Sequence, residues 1–123
     1  MRLLKFLCEN YLPGWDGNIA VTCKDSMLSR LSSPGLTYKA YLRDTGAGYE
    51  LIMRSGLPRP EEVVCHEFCH LEQFVRGDLS VEGGTATWKG VKYPRSIGYD
   101  SRPWETEAFA RQQELLGVWY KHK

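Results

Sequence analysis

Two histidines and a glutamate near the middle of the chain have the types and spacing of a metal-dependent hydrolytic site. Residues 66–70 match the pattern HExxH, within a stretch whose apolar spacing predicts a helix. At about 100° per residue, His66 and His70 project roughly 40° apart, so both imidazoles can reach one zinc ion. Glu67 lies roughly 60° further round, where its carboxylate can take a proton from a water molecule at the metal. The spacing predicts a zinc site with Glu67 as general base.

The rest of this helix favours a metal site over the alternative, a helix whose histidines merely face solvent. The chain has three histidines, and two of them occupy the motif. Apolar residues recur at i, i+4, i+7 and i+11 on the opposite side of the helix: Val64, Phe68, Leu71 and Val75. One face can therefore pack on a core while the other carries the histidines.

A third protein ligand is expected, because a catalytic zinc usually has three and keeps one position open for water. His122 is a poor candidate, since it lies between two lysines at the end of the chain. The last predicted helix, from Pro103 to Tyr120, is the better place to look because it contains glutamates among apolar residues.

Two glutamates of that last helix point in different directions on a helical wheel. Glu105 shares its face with apolar residues within about 80°, namely Ala108, Phe109, Leu115, Leu116 and Trp119. Glu107 falls on the opposite side and is expected to face water. A carboxylate aimed at a core is rare unless it is paired or bound to a metal, so Glu105 is the expected third ligand. The alternative is a salt bridge from Glu105 to Arg95 or Arg102.

Hydrolysis of a peptide also requires a donor for the developing oxyanion. Tyr93, Tyr99 and Arg95 lie between the two helices and can approach the metal. Tyr99 is the first choice because it is closest in sequence to Glu105. The alternative is that the tyrosines pack under the loop.

The elements that position these residues are predicted to be a small sheet followed by two helices. Three segments have strand-like patterns: 18–22, 36–43 and 49–54. Residues 44–48 have the composition of a hairpin loop between the last two. Residues 61–76 predict the HExxH helix, and Gly77 can end it. Shorter elements are expected as a strand or helix at 1–8, a helix at 25–31 and a strand at 85–91.

Composition predicts one soluble globular domain spanning residues 1–123. Hydrophobic residues make up 42% and charged residues 25%, and the net charge is +1. This balance argues against a nucleic-acid partner, and no apolar run approaches the roughly 20 residues that span a membrane. The four cysteines match no zinc or disulfide pattern, so we expect free thiols in a cytoplasmic protein.

These residues resemble the glutamate-type zincins, in which HExxH lies on one helix and a later helix supplies a glutamate ligand. In several of those families that glutamate begins an ExxA pattern, which residues 105–108 fit. The resemblance extends over roughly residues 60–115 to minimal zincin-like metallopeptidases, many of them from phages and prophages. The similar strings are HEFCHLEQF at 66–74, WKGVKY at 88–93 and PWE at 103–105.

The resemblance implies a ligand set and contains one departure. It implies His66, His70 and Glu105 as zinc ligands and Glu67 as general base. Some of these families place an aspartate four residues after the ligand glutamate, where it orients a zinc histidine, and Phe109 stands there in this chain. A backbone carbonyl or another carboxylate is then expected to orient that histidine.

Together these features predict an α+β minimal zincin, with a small, largely antiparallel sheet packed against the HExxH helix and the C-terminal helix. The resemblance implies a zinc metallopeptidase that binds a peptide or protein substrate along an exposed edge formed by residues 49–54. Two histidines and a carboxylate suit zinc best, although the same trio can bind iron or manganese. One alternative is a zincin-fold structural protein, for example a virion component, with little turnover. Another is a toxin or anti-repressor-type protease that cleaves one partner protein.

Overall fold

The described part of the chain forms three helices and two small sheets, the α+β class that the sequence predicts. The computed structural model describes residues 2–23, 40–94 and 96–122. The helices are α1 (Arg2–Tyr11), α2 (Pro60–Arg76) and α3 (Pro103–His122), with a 3-10 turn at Tyr99–Ser101. The strands are β1 (Ile19–Cys23), β2 (Ala40–Asp44), β3 (Tyr49–Met53), β4 (Leu79–Glu82), β5 (Thr85–Trp88) and β6 (Val91–Pro94). The helix expected at 25–31, the first part of the strand expected at 36–43, and Arg95 lie outside the described residues.

The first sheet has the order β1-β3-β2, with β1 parallel and β2 antiparallel to β3. The predicted hairpin between β2 and β3 is confirmed, and its loop is closed by a hydrogen bond from Thr45 N to Gly48 O of 2.9 Å. The expectation that residues 49–54 form an exposed edge is wrong. Strand β3 is central because β1, which is remote in sequence, pairs with its free side.

Helix α2 carries the HExxH residues on one side and packs by the other. It begins at Pro60, one residue before the predicted start, and negative Glu61 and Glu62 fall in its first turn. It ends at Gly77, which has φ of 80° and donates its N–H to Phe74 O at 3.1 Å. A left-handed residue at this position favours glycine, so the predicted stop is confirmed. Three of the four predicted core residues are fully buried: Val64, Phe68 and Leu71.

Helix α3 packs against α2, but its buried face is centred differently from the one predicted. Ala108, Leu115, Leu116 and Trp119 are buried as expected. Phe109 was expected on the same apolar face, and this is wrong because the residue is 50% exposed. On a helical wheel, the middle of the buried face of α3 lies about 40° from Glu105 in one direction, and Phe109 lies about 40° from Glu105 in the other. Phe109 is therefore roughly 80° from the middle of the buried face.

A second sheet follows α2, where the sequence predicted only one short strand. Strands β4, β5 and β6 form an antiparallel meander. Its two turns require left-handed backbone, at Gly83 with φ of 59° and at Lys89-Gly90 with φ of 48° and 85°. A separate small core joins this sheet to the start of α3, made of Leu79, Ala86, Trp88 and Trp104.

The N-terminal segment, expected as a strand or helix, is the helix α1, which buries Leu3, Leu4 and Leu7. The expected free thiols are confirmed at Cys8, Cys65 and Cys69, whereas the side chain of Cys23 is not described. No helix within the described ranges has both the length and the apolar character needed to cross a membrane.

Candidate metal centre

Three potential ligands from two helices converge on one point. His66 and His70 project from α2, and Glu105 projects from the first turn of α3. The Nε2 atoms of His66 and His70 lie 2.9 Å and 3.0 Å from the same Oε1 atom of Glu105. The sequence-predicted trio is therefore brought together, and the position of Glu105 depends on the packing of α3 against α2.

The convergence has dimensions that suit a small metal ion. Metal–ligand bonds of about 2.0–2.1 Å at tetrahedral angles place neighbouring ligand atoms about 3.3 Å apart. The observed nitrogen–oxygen distances are slightly shorter, so only a small outward movement of the side chains makes room for an ion. His66 and His70, with Glu67 beside them, also offer ligand atoms within 4.8 Å of one another.

A glutamine lies behind each of the two histidines. Gln112 Oε1 is 2.8 Å from Nδ1 of His66, and Gln73 Oε1 is 2.8 Å from Nδ1 of His70. The sequence-based expectation of a backbone carbonyl or carboxylate in this role is wrong, because side-chain amides occupy both positions. Both glutamines are buried. Their positions could have identified them from the sequence, because Gln73 follows His70 by three residues on α2 and Gln112 shares the face of α3 that carries Glu105.

The amide orientations determine which tautomer each histidine adopts when it is neutral. Gln73 Nε2 donates to Trp104 O at 2.9 Å and to Glu107 Oε1 at 3.3 Å. Gln112 Nε2 lies 3.4 Å from Glu62 Oε1. Each amide nitrogen thus faces an acceptor, which leaves each Oε1 to accept a hydrogen bond from Nδ1–H. A neutral histidine in this arrangement presents an unprotonated Nε2, the form that binds a metal.

Charge around Glu105 explains why a cation is favoured at the convergence point. Burial raises the pKa of the Glu105 carboxyl, but hydrogen bonds from His66 and His70 outweigh burial and hold the pKa well below its usual range. Burial lowers the pKa of His70, but the hydrogen bond to Glu105 and the nearby carboxylates outweigh burial and raise the pKa to about 9. The proton on His70 therefore balances the Glu105 charge, and a metal ion at this point would compete with it for the same nitrogen.

Glu67 lies beside the two histidines, whereas Glu105 is hydrogen-bonded to both of them. Burial raises the pKa of its carboxyl, and the positive charge of protonated His70 and His66 opposes that rise. A carboxylate with a raised pKa at the edge of a metal site can accept a proton from water and return it to a leaving group.

The oxyanion candidates have different positions. The Tyr99 hydroxyl donates to Glu105 Oε1 at 3.1 Å, so this residue reaches the centre from the 3-10 turn. Tyr93 instead packs its ring against Trp104, with centroids 5.7 Å apart, as the packing alternative predicted. Arg102, which the sequence offered as a salt-bridge partner of Glu105 and not as an oxyanion donor, donates its Nε–H to Ile97 O at 3.2 Å and places its guanidinium over the Tyr99 ring.

Two other residues considered from the sequence lie away from the ligand trio. His122 packs against the ring of Phe6, with centroids 4.3 Å apart. It lies 17 positions after Glu105 on α3, about 25 Å along the helix. The expectation that Glu107 faces water is only partly met, because the residue is half-buried. It accepts a hydrogen bond from Gln73 Nε2 at 3.3 Å and pairs with Arg76 at 3.2 Å.

Of the predicted zincin, the structure supports a His-Glu-x-x-His group whose side chains lie close enough together to bind a metal ion. No known protein-family model matches the chain, and no curated protein or solved structure is significantly similar to it.

Proposed function

We propose that this protein is a zinc-dependent peptidase of the zincin type, with His66, His70 and Glu105 as metal ligands and Glu67 as general base. The observation that carries the proposal is the convergence of two Nε2 atoms on one carboxylate oxygen, each histidine having an amide oxygen behind it. Three electron-rich atoms at this spacing are stable only with protons or a cation between them.

The donor set favours zinc among the metals that could bind. Two imidazole nitrogens and one carboxylate oxygen form a common ligand set of catalytic zinc, in which a fourth position stays open. Iron and manganese also accept this combination, so metal selectivity is part of the proposal. A zinc ion in such a site supplies positive charge that acidifies water and polarises a carbonyl.

Two residues of the chain have the remaining roles in peptide hydrolysis, proton transfer and stabilisation of the oxyanion. Glu67 takes a proton from the attacking water as its oxygen bonds to the scissile carbon. The carbon–nitrogen bond breaks when Glu67 passes that proton to the departing amine, so the water is divided between the two products. Tyr99 is the candidate donor to the developing oxyanion, because its hydroxyl lies 3.1 Å from a ligand oxygen.

A second candidate function is a zincin-fold interaction protein, for example a virion component, in which the metal has a structural role. The replacement of a supporting aspartate by Phe109 favours it, since the neutral amide of Gln112 supports His66 less strongly than a carboxylate would. The proposed substrate or partner is a protein in either case, in the cytoplasm or in a virion. A toxin or anti-repressor-type protease would differ only in cleaving one partner protein.

Turnover with and without the Glu67 carboxylate distinguishes these functions. Zinc-loaded protein is incubated with a quenched fluorescent peptide library, and cleavage is followed by fluorescence. Glu67→Gln is expected to retain zinc and lose about 10²–10⁴-fold in rate, because it can no longer accept a proton. Glu61→Gln, the same change in the first turn of α2, is the matched control and is expected to retain the rate.

Two results would contradict the peptidase proposal. In the first, zinc-loaded wild type cleaves no peptide of the library, which leaves the structural role as the account of the metal. In the second, Glu67→Gln cleaves as fast as wild type, which assigns any observed cleavage to a contaminant or to another site.

A further inference from the structure

Phe109 is a large apolar side chain at the edge of the candidate metal centre, and half of it is exposed. Its ring lies 4.7 Å from the ring of His66 and 6.2 Å from the ring of Tyr99, measured between centroids. It therefore contacts one proposed ligand directly and also the proposed oxyanion donor. The exposed half of the ring is an apolar surface beside the place where a scissile carbonyl would be held.

The position of Phe109 distinguishes it from the other exposed apolar residues. Val118 is also exposed on α3, at 40%, but lies on the opposite side of the helix, about 180° from Phe109. Single exposed apolar residues are ordinary on protein surfaces and need no explanation. Phe109 differs because its ring packs against two residues of the candidate metal centre, His66 and Tyr99.

We propose that Phe109, together with the ring of Tyr99, forms an apolar subsite that selects peptides with an aromatic or large aliphatic residue next to the scissile bond. This inference rests on the proposed peptidase function. Two exposed rings in edge-to-face contact offer an apolar corner, and an aromatic side chain packs against such rings in offset or T-shaped geometry.

The distance from the centre limits which substrate residue the subsite can contact. Consecutive Cα atoms in a peptide are about 3.8 Å apart. Because the Phe109 ring is in contact with His66, it is within reach of the side chain that directly flanks the scissile carbonyl. Residues further along an extended peptide are carried away from the centre at about 3.3 Å each.

Metal-directed probes test the subsite without knowledge of the natural substrate. We would titrate zinc-loaded wild type by calorimetry with acetohydroxamic acid and with 3-phenylpropionohydroxamic acid, which share the zinc-binding group. Wild type is expected to bind the aromatic probe about tenfold more tightly, since one well-placed apolar group gives about that discrimination. Phe109→Ala is expected to reduce the ratio of the two Kd values to about one.

Further variants keep the test independent of folding defects. Phe109→Leu is expected to retain an intermediate ratio, and Val118→Ala to retain the wild-type ratio. Zinc content and thermal unfolding of each variant verify that the centre has formed. Equal affinities of wild type for the two probes, or an unchanged ratio in both Phe109 variants, would overturn the subsite alone. Failure of both probes to bind the zinc-loaded protein would overturn the proposed function and the subsite with it.

Discussion

Each proposed histidine ligand is hydrogen-bonded to the side-chain oxygen of a neutral glutamine. Gln112 reaches His66 from α3, and Gln73 reaches His70 from one turn further along α2. An amide oxygen fixes the ring and its tautomer as a carboxylate does, but it adds no negative charge. The histidines are therefore oriented for metal binding before the metal arrives, with Glu105 and Glu67 as the nearby charges.

Removal of one amide tests whether it orients a ligand. Gln112→Leu is expected to lower zinc affinity about 10–100-fold, the usual effect of losing a partner of a metal-binding histidine. Gln112→Glu, which keeps an acceptor at the same position, is expected to restore most of that affinity. Competition with a chromophoric chelator measures both.

Gln113→Leu is the matched control, because Gln113 is the exposed neighbour of Gln112 on α3. It is expected to bind zinc as wild type does. If Gln112→Leu also bound zinc with wild-type affinity, the hydrogen bond to His66 would have no part in holding the metal.

At the scale of elements, the middle of helix α2 and the first turn of helix α3 position the proposed ligands. The left-handed Gly77 ends α2 and turns the chain into the second sheet. Gly117, by contrast, is exposed inside α3, and a methyl group there would meet no neighbouring atom. These two glycines have opposite roles in stability.

Alanine substitutions should therefore change stability in opposite directions. Gly77→Ala is expected to lower the free energy of unfolding by about 1 kcal/mol, because alanine is strained at positive φ. Gly117→Ala is expected to raise it by about 0.5–1 kcal/mol, because alanine favours the helix. Urea denaturation in the presence of a chelator measures both without a contribution from bound metal. A loss of stability in both variants would contradict the assignment of Gly117 to the helix interior.

The two long helices and the convergence of His66, His70 and Glu105 could be predicted because their signals are local. Apolar spacing and Gly77 predict α2, and the helical wheel around Glu105 predicts the direction of that side chain. The central place of β3 could not be predicted in the same way, because it depends on pairing with β1 some 30 residues earlier. The exposure of Phe109 and the contact of Gln112 with His66 likewise depend on how α3 is rotated against α2, which no local pattern specifies.

At the scale of the whole molecule, the candidate centre links metal binding to folding. The ligands come from α2 and α3, and Tyr99 adds a contact from the turn before α3. Metal binding to this set requires both helices to be packed, so the binding free energy stabilises the folded chain.

The pH dependence of that stabilisation follows from the charges of the centre. In the metal-free protein the folded pKa of His70 is about 9, above its unfolded value of about 6.5. The His70 contribution is therefore complete below the unfolded value and is lost as pH rises through about 9. The Glu105 carboxyl has the opposite dependence, because its lowered pKa makes its contribution disappear on acidification.

Zinc replaces the histidine protons, so its stabilising effect should grow as pH rises. We expect the difference in Tm between zinc-loaded and chelator-treated protein to be larger at about pH 8.5 than at about pH 6. Thermal unfolding at matched ionic strength measures it. A difference in Tm that is constant with pH would show that zinc does not bind at the histidines.

The central claim is that His66, His70 and Glu105 hold one metal ion, and metal content with thermal stability tests it most directly. Wild type, Glu67→Gln and Glu105→Ala would be produced in zinc-supplemented medium, purified without chelators, and measured by elemental analysis and thermal unfolding. We predict about one zinc per chain in wild type and in Glu67→Gln, with a higher Tm than in chelator, and little zinc in Glu105→Ala. Wild type that holds no metal and gains no stability from added zinc would contradict the account.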